Sequence, residues 1–515
     1  MERRFGEIIA KQQAVIEQQQ AVIRDLEKQL ELARADKARL QTLETEVARL
    51  TRELIGRKTE KTRVKPVQRE LAENEPERTE EEAARRREEI ARKRRERALA
   101  KDAALETKDV EHPLPPELKA CPSCGGTEGT ELPPEITTTI EYVPGHFVRR
   151  RHKRQKMVRA CQCEADHIVT APGPEKLLRR GLYGPSFGAF LIVEKCADST
   201  PIYRIERRFE RLGIPVSRGT MNALIHACAE RLQPLANRVE ERMKDIEVVL
   251  ADETSVRLQD RPQKRGFMWV FHGKDEIGSG GDLVLYKFAL DRSGTTPVKV
   301  LGGSEGTLVV DGYTGYNDVV DPEQRERGGC WSHGRRKFFE SLTTAPDEAQ
   351  EAITQIRELF RVEHEATLRR IVGTSEHLAL RHERSAPAIE KLYEWLLETK
   401  GKVLPKSPLA TAIGYCINQK DRLRLFLTDA RIPIHNNASE RRLRVIALGR
   451  KNFLFFGDKF SGQNFAGLYS LVGSCIANGV EPTEYLTDVL LRVRHAATPE
   501  ALDALLPDRW CAPEA

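Results

Sequence analysis

The chain has 515 residues, enough for three or four domains and a sizeable core. Charged residues reach 31% while the net charge is only +6, so charge clusters matter more than the balance. Residues 1–5 lack the apolar core of a signal peptide and no run approaches membrane-spanning length, which predicts a soluble, cytoplasmic, nucleoid-associated protein with no membrane partner. Ten cysteines in so long a chain argue against a disulfide scaffold, and the close spacing of four of them favours metal binding.

Residues 1–57 carry a heptad pattern. Ile9, Ile16, Ile23 and Leu30 recur every seven positions, with Phe5, Gln12, Gln19, Leu26 and Ala33 at the complementary core sites. The register skips by three and resumes at Leu40, Leu43, Val47, Leu50 and Leu54. This predicts a coiled coil that makes the protein a homo-oligomer; the alternative is a long helix folded back on its own chain. Residues 58–112 are dominated by Arg, Lys and Glu, with too few apolar residues for a core. They read as a charged linker, or as a segment touching DNA phosphates.

Residues 113–172 are expected to form a zinc-binding module. Cys121 and Cys124 flank a Pro-Ser pair and precede two glycines, and Cys161 and Cys163 follow after strand-like stretches. Two cysteine pairs joined by a small sheet describe one structural four-thiolate Zn2+ site. The second pair is unusually close, which leaves His152 or His167 as a substitute ligand.

Residues 180–235 read as helix, turn, helix. Ile202, Ile205, Phe209 and Leu212 form one face ending at Gly213, and Ser217 is a cap for a helix starting near Arg218. A DNA-binding helix-turn-helix has this pattern, and so does any helical hairpin. Arg204, Arg207, Arg208 and Arg218 are its candidate DNA contacts.

From residue 245 the pattern changes to strands, at 246–251, 267–271, 283–290 and 307–310, with a further one near 329–331 and a short helix at 296–301. Three strands followed by alternating helix and strand is the order of a ribonuclease-H-like core, assigned to 245–335 and 432–480. A helical insertion occupies 337–431 and a C-terminal helical segment 481–515. The fold class is thus multidomain α+β. Asp252 and Asp311 are expected to end the first and fourth strands, and Glu440 to open a helix. Three such carboxylates can hold a pair of hard cations for phosphoryl transfer. Each has a plainer reading: Asp311-Gly312 as a turn, Glu440 and Arg444 as a helix-surface pair, and Glu253 as the real ligand in place of Asp252. Arg335, Arg336, Arg441, Arg444, Arg450 and Lys451 are the candidate phosphate contacts around this site.

The stretch from His435 through Asn436, Asn437, Ala438, Ser439, Glu440, Arg441 and Arg442, continuing to Gly449, Arg450, Lys451, Asn452 and Phe453, resembles the signature of the large transposase of the insertion-sequence-66 family. The contexts of Asp252 and Asp311, the Cys330-Trp331-Ser332-His333 segment and the Cys121 knuckle are similar to the family's motifs as well. The resemblance implies a DD-E transposase acting at terminal inverted repeats and target DNA, with two Mg2+ ions (or Mn2+ in their place) at Asp252, Asp311 and Glu440 and small accessory transposition proteins as partners. By analogy with other DD-E enzymes, Cys330 and His333 would shape the site near the DNA. One zinc per chain is expected on metal analysis of the purified protein, and Cys121→Ser should lower that content; undiminished zinc would remove this residue from the ligand set.

Overall fold

The computed structural model describes residues 182–512, apart from 215, 261–264, 275–280 and 321–324. Before 182 it describes 92, 145, 148, 151–153, 156–158, 168–171 and 177. The coiled-coil reading and all four candidate zinc cysteines lie outside the described residues. The chain divides into two compact units, Met1–Pro144 and Gly145–Ala515, and every element named below belongs to the second.

Two short strands, β1 (Lys156–Val158) and β2 (Ile168–Thr170), pair antiparallel with Met157 opposite Val169. Helices α1 (Pro185–Cys196), α2 (Ile202–Arg211) and α3 (Arg218–Met243) follow. Gly213, at φ +73°, turns the chain after α2. Ser217 caps α3, its hydroxyl accepting the Thr220 N–H at 3.2 Å. The second helix of this pair is 26 residues long and buries Met221, Leu224, Cys228, Leu232, Leu235 and Val239 along one face. Those residues share one apolar cluster with Ile205 and Phe209 of α2 and with the main sheet.

That sheet has five strands: β3 (Val248–Arg257), β4 (Arg265–Lys274), β5 (Asp282–Ala289), β6 (Gly306–Val309) and β7 (Arg325–Gly328). Their order is β5-β4-β3-β6-β7. The first three form an antiparallel meander, and β6 and β7 add in parallel beside β3. Helix α4 (Thr295–Leu301) makes the crossover that a parallel pair requires. Two boundaries differ from expectation. Asp252 does not end its strand: β4 pairs with β3 from Val249 to Arg257, whereas β6 pairs with it only from Val248 to Leu250. Asp252 therefore sits where the parallel neighbour has ended and the antiparallel one continues. The fifth strand is Arg325–Gly328 rather than the apolar run after it, and Trp331 opens helix α5 (Trp331–Ser341). Apolar pattern hid this strand because two of its buried side chains are arginines. Arg325 is satisfied by Ser304 Oγ at 2.7 Å and by the carbonyls of Ile246 and Lys244 at 2.9 and 3.1 Å.

The insertion comprises α6 (Pro346–Arg369), α7 (Ser375–Leu380), a π-helical turn at Arg381–Ser385, α8 (Ala386–Lys400), α9 (Pro408–Asn418) and α10 (Lys420–Arg424). Buried Arg381 ties it together through Glu363 at 2.8 Å and the carbonyls of Phe426 and Asp429 at 2.7 and 3.0 Å. The chain returns as α11 (Asn437–Asn452) and α12 (Lys459–Ala477), then α13 (Pro482–Arg492) and α14 (Pro499–Asp503). Among the described residues no helix is long and apolar enough to cross a membrane.

Strand alternation divides the sheet between two cores. Val249, Ala251, Leu308 and Val310 join the cluster of α3 and α12, whereas Leu250 and Val309 join the cluster built by α5 and the insertion. The edge of β5 is closed by α12. Ser474 and Ser470 accept the N–H groups of Val284 and Tyr286 at 2.9 and 2.8 Å, and Asn478 accepts that of Asp282 at 2.8 Å. One helical step of four residues, about 6 Å, nearly matches two strand residues, about 6.6 Å, so a polar row can serve the whole edge.

Gly306 starts β6 at φ +116°, and a Cβ there would lie 2.2 Å from the Glu247 carbonyl oxygen. Gly306→Ala should therefore lower unfolding stability by more than about 1 kcal/mol, measured by denaturant titration; an unchanged midpoint would show that the turn tolerates a side chain.

Candidate active site

Strand register brings the first two carboxylates together. Leu250 of β3 pairs with Val309 of β6, so two residues further along each strand stand Asp252 and Asp311. Both follow residues facing the insertion-side cluster, and adjacent strands are about 4.8 Å apart. Asp252 Oδ1 accepts the Glu253 N–H at 2.9 Å, and Asp311 Oδ1 accepts the Tyr313 N–H at 2.9 Å. The loop after β6 is stapled by Arg327, which donates to the Asp311 and Tyr313 carbonyls at 2.7 Å each. Burial lowers the Arg327 pKa to about 10, so the guanidinium remains charged at neutral pH.

The third carboxylate arrives from the other side. Asn436 is 1% exposed and immediately precedes α11. Its amide donates to the Ala251 carbonyl at 2.7 Å, one residue from Asp252, and its backbone N–H points to Cys330 Sγ at 3.3 Å. Ser439 returns a hydroxyl bond to Asn436 Oδ1 at 2.6 Å. This short network fixes the start of α11 on β3 and sets Glu440 in its first turn. His333 Nε2 and Arg336 each approach the Glu440 carboxylate to 3.8 Å, too long for hydrogen bonds but close enough for charge. Glu440 Oε1 and His333 Nδ1 are both buried without a hydrogen-bond partner.

The Asp252 carboxyl responds to this environment. Burial, then the charge of Glu253, then those of Asp311 and Glu440 push the Asp252 carboxyl up to about 7, while the Glu253 N–H opposes the rise. Glu253 itself is otherwise engaged. Adjacent in the strand, it faces the opposite side of the sheet and accepts the Tyr316 hydroxyl at 2.6 Å and Arg292 Nε at 2.8 Å. Arg292 in turn lies 3.9 Å from the Tyr313 ring centroid.

The donor set suits a hard divalent cation: carboxylate oxygens only, one of them buried and unpartnered, in a site where like charges accumulate. Among the described residues no group of three or more His, Cys, Asp or Glu side chains stands close enough to hold a metal ion. Cys330 is buried, its thiol pKa raised by that burial, and its sulfur faces the Asn436 N–H.

The basic candidates separate by environment. Arg208 pairs with Glu194, and Arg218 with Glu206 at 2.8 Å. Arg204 and Arg207 are exposed on α2, Arg204 leaning on the Tyr203 hydroxyl at 3.2 Å. Arg335 is half-buried, its pKa lowered by burial and by Arg357, and Arg336 is exposed beside Glu440. Arg450 donates to the Ser255 carbonyl at 2.7 Å and so braces α11 against β3. Arg441, Arg444 and Lys451 are exposed, with no ion-pair partner among the described residues. Sequence reasoning quoted Asn436 and Tyr316 only as parts of motifs and gave no part to Arg327. An Asn just before the expected Glu440 helix was the one local signal, and nothing local marked Arg327.

The comparisons with known proteins fit this architecture. The family described as "Transposase IS66 family" matches residues 180–464, more than half of the chain, and the "IS66 C-terminal element" matches residues 470–507. Three relatives come from Sinorhizobium fredii (strain NBRC 101917 / NGR234). Uncharacterized protein y4qI is 32% identical over 423 residues, covering 79% of this chain and 76% of its own. Uncharacterized protein y4hP is 31% identical over 414 residues, covering 76% and 73%. Uncharacterized protein y4jD is 30% identical over 412 residues, covering 77% and 79%. The class is that of the transposases. Within it, this chain belongs to the IS66 transposase family.

Asn436→Ala removes the bond to the Ala251 carbonyl and should cost about 1–3 kcal/mol of stability, because a buried acceptor is left unpaired. Thermal unfolding checks this, and an unchanged midpoint would mean that α11 is held at β3 by packing alone.

Proposed function

We propose that the chain is the catalytic DD-E transposase of an insertion sequence, cutting DNA at the element's terminal inverted repeats and joining the freed 3′-hydroxyls to target DNA. The observation that carries this is the β3–β6 register, which sets Asp252 beside Asp311 while Glu440 lies within the electrostatic reach of Asp252. The sheet order β5-β4-β3-β6-β7, with helices on both faces and a helical segment between β7 and α11, supports a ribonuclease-H-like core with an inserted domain.

Asp252, Asp311 and Glu440 would hold two Mg2+ ions, with Mn2+ an acceptable substitute, and the bound ions would supply an activated oxygen nucleophile and charge stabilisation for the leaving oxygen. The chain's own groups do the positioning. Asn436 and Arg327 hold the helix and the loop that carry two of the carboxylates. Tyr316 and Arg292 keep Glu253 turned away, so that it supports the site without entering it. Arg336, beside Glu440, provides positive charge where a phosphate would approach. Neither strand cleavage nor strand transfer requires a covalent protein–DNA bond, because water and then the 3′-hydroxyl serve as nucleophiles.

Around this centre we assign Arg441, Arg444 and Lys451 to phosphate contacts, and α2 with the start of α3 to reading the element ends through exposed Arg204 and Arg207. Arg208, Arg218 and Arg335 could add phosphate contacts only by exchanging or leaving their present surroundings. The zinc module would share in end recognition, and the coiled coil would pair protomers so that two ends meet in one complex. Small accessory proteins would complete the assembly.

Purified protein incubated with Mg2+ and labelled element ends should yield joined products. Asp252→Asn, Asp311→Asn and Glu440→Gln should each lower that yield by more than about a hundredfold, matching a loss of several kcal/mol of charge stabilisation, with DNA binding retained. Nicks without joining would point instead to a nuclease, and bound but intact DNA to a binding protein.

A further inference from the structure

The face of α11 that no other element covers among the described residues leads away from Glu440. Arg441, Arg444, Leu448 and Lys451 are its exposed residues, spaced by three or four so that they form one stripe. The stripe ends at a projecting loop in which Leu454 and Phe455 are 53% and 42% exposed. The loop is rigidly seated. Phe456 donates to the Arg257 carbonyl at 3.0 Å and accepts from the Gln259 N–H at 2.9 Å, extending the edge of β3. Phe453 packs under it, with the Lys195 ammonium 3.3 Å from its ring centroid. Leu454 adopts φ +68°, a left-handed conformation that costs a leucine about 1–3 kcal/mol. A strained backbone that lifts two apolar side chains into solvent gives nothing to the core. Its use lies in what those side chains meet.

The flanking charge selects the occupant. Three cations without an ion-pair partner among the described residues lie along one helix face and suit a polyanion, and they run continuously from the carboxylate site to the apolar tip. Side chains without hydrogen-bonding groups cannot read base edges, but they can stack on a base face that is free of its own neighbours. The distance is fixed by the fold. Twelve residues of α11 from Glu440 to Asn452 span about 18 Å, and five residues of β3 from Asp252 to Arg257 span about 17 Å.

We propose that Leu454 and Phe455 form a wedge that stacks on an unpaired base of the bound DNA, about five nucleotides from the scissile phosphate at 3.4 Å per nucleotide. This rests on the transposase reading and adds to it a requirement for local melting beside the cut.

The test measures binding of the full chain to a single-stranded oligothymidine and to a paired duplex of equal length, across a salt series. Phe455→Ala should weaken single-strand binding by about tenfold and duplex binding far less, and Phe455→Trp should restore it. Lys451→Ala should weaken both and reduce the salt slope by about 1. Leu454→Gly removes the side chain while relieving the left-handed strain, so it should raise the melting temperature and lower single-strand affinity together. That pairing separates a functional tip from a structural one. The wedge is overturned if Phe455→Ala weakens both DNAs equally or neither, or if it changes the sedimentation of the protein with DNA affinity intact, which would make the tip a contact with a second copy. Absence of salt-dependent binding by the unaltered chain to either DNA would instead remove the transposase reading.

Discussion

Like charges held close together in a partly buried place are the constraint around which this molecule is arranged. The parallel register of β3 on β6 forces Asp252 and Asp311 to be neighbours, and α11 adds Glu440. Left alone, such a set would swing apart or stay protonated: burial first, then the charge of Glu253, and last those of Asp311 and Glu440, push the Asp252 carboxyl up to about 7. Since this value lies above the ordinary 3.8, the native state keeps a proton that the unfolded chain has lost between those pH values. The contribution of Asp252 to stability therefore falls as pH rises across the window. The surrounding structure resists dispersal: Arg327 binds the Asp311 loop through its carbonyls, and Asn436 anchors α11 to the strand beside Asp252.

The same economy governs Glu253, which carries a fourth negative charge next to the site. Its carboxylate is taken up by the Tyr316 hydroxyl and the Arg292 guanidinium on the opposite side of the sheet. Strand alternation thus puts the two adjacent acids on opposite faces of the sheet. Asp252 follows Leu250 on the face toward the insertion, while Glu253 follows Ala251 on the face toward the other core. The two cores have different origins. One is closed by α12, whose Ser470, Ser474 and Asn478 finish the hydrogen bonding of the β5 edge. The other is built by the insertion, whose helices pack over Leu250 and Val309 at the strand ends that carry the acids.

Arginine is used here in at least three ways that composition cannot separate. Arg325 and Arg327 are buried fasteners for backbone carbonyls. Arg208 and Arg218 neutralise nearby glutamates, and Arg450 braces a helix on a strand. Arg441, Arg444 and Lys451 are exposed on α11, with no ion-pair partner among the described residues. An exposed cation without an acid nearby keeps its full attraction for phosphate, whereas a paired one must first give up its partner.

Much of the region that matches the family was legible in the residues themselves. Alternating apolar runs marked β3 through β6, Ser217 marked the start of α3, and the context of Glu440 marked both its helix and its family. These features are local, set by side-chain period, capping chemistry and motif. The edge of β7 was not legible, because its buried arginines are satisfied by groups on other elements, Arg325 by Ser304 and by carbonyls some eighty residues away, and Arg327 by the carbonyls of the Asp311 loop. Nor could sequence show that β3 runs past Asp252, since that length is set by pairing with β4. The choice of Asp252 over Glu253, the anchoring by Asn436 and the sorting of the arginines likewise belong to the tertiary structure. Each depends on which distant group a side chain meets, and chain order alone carries no record of that.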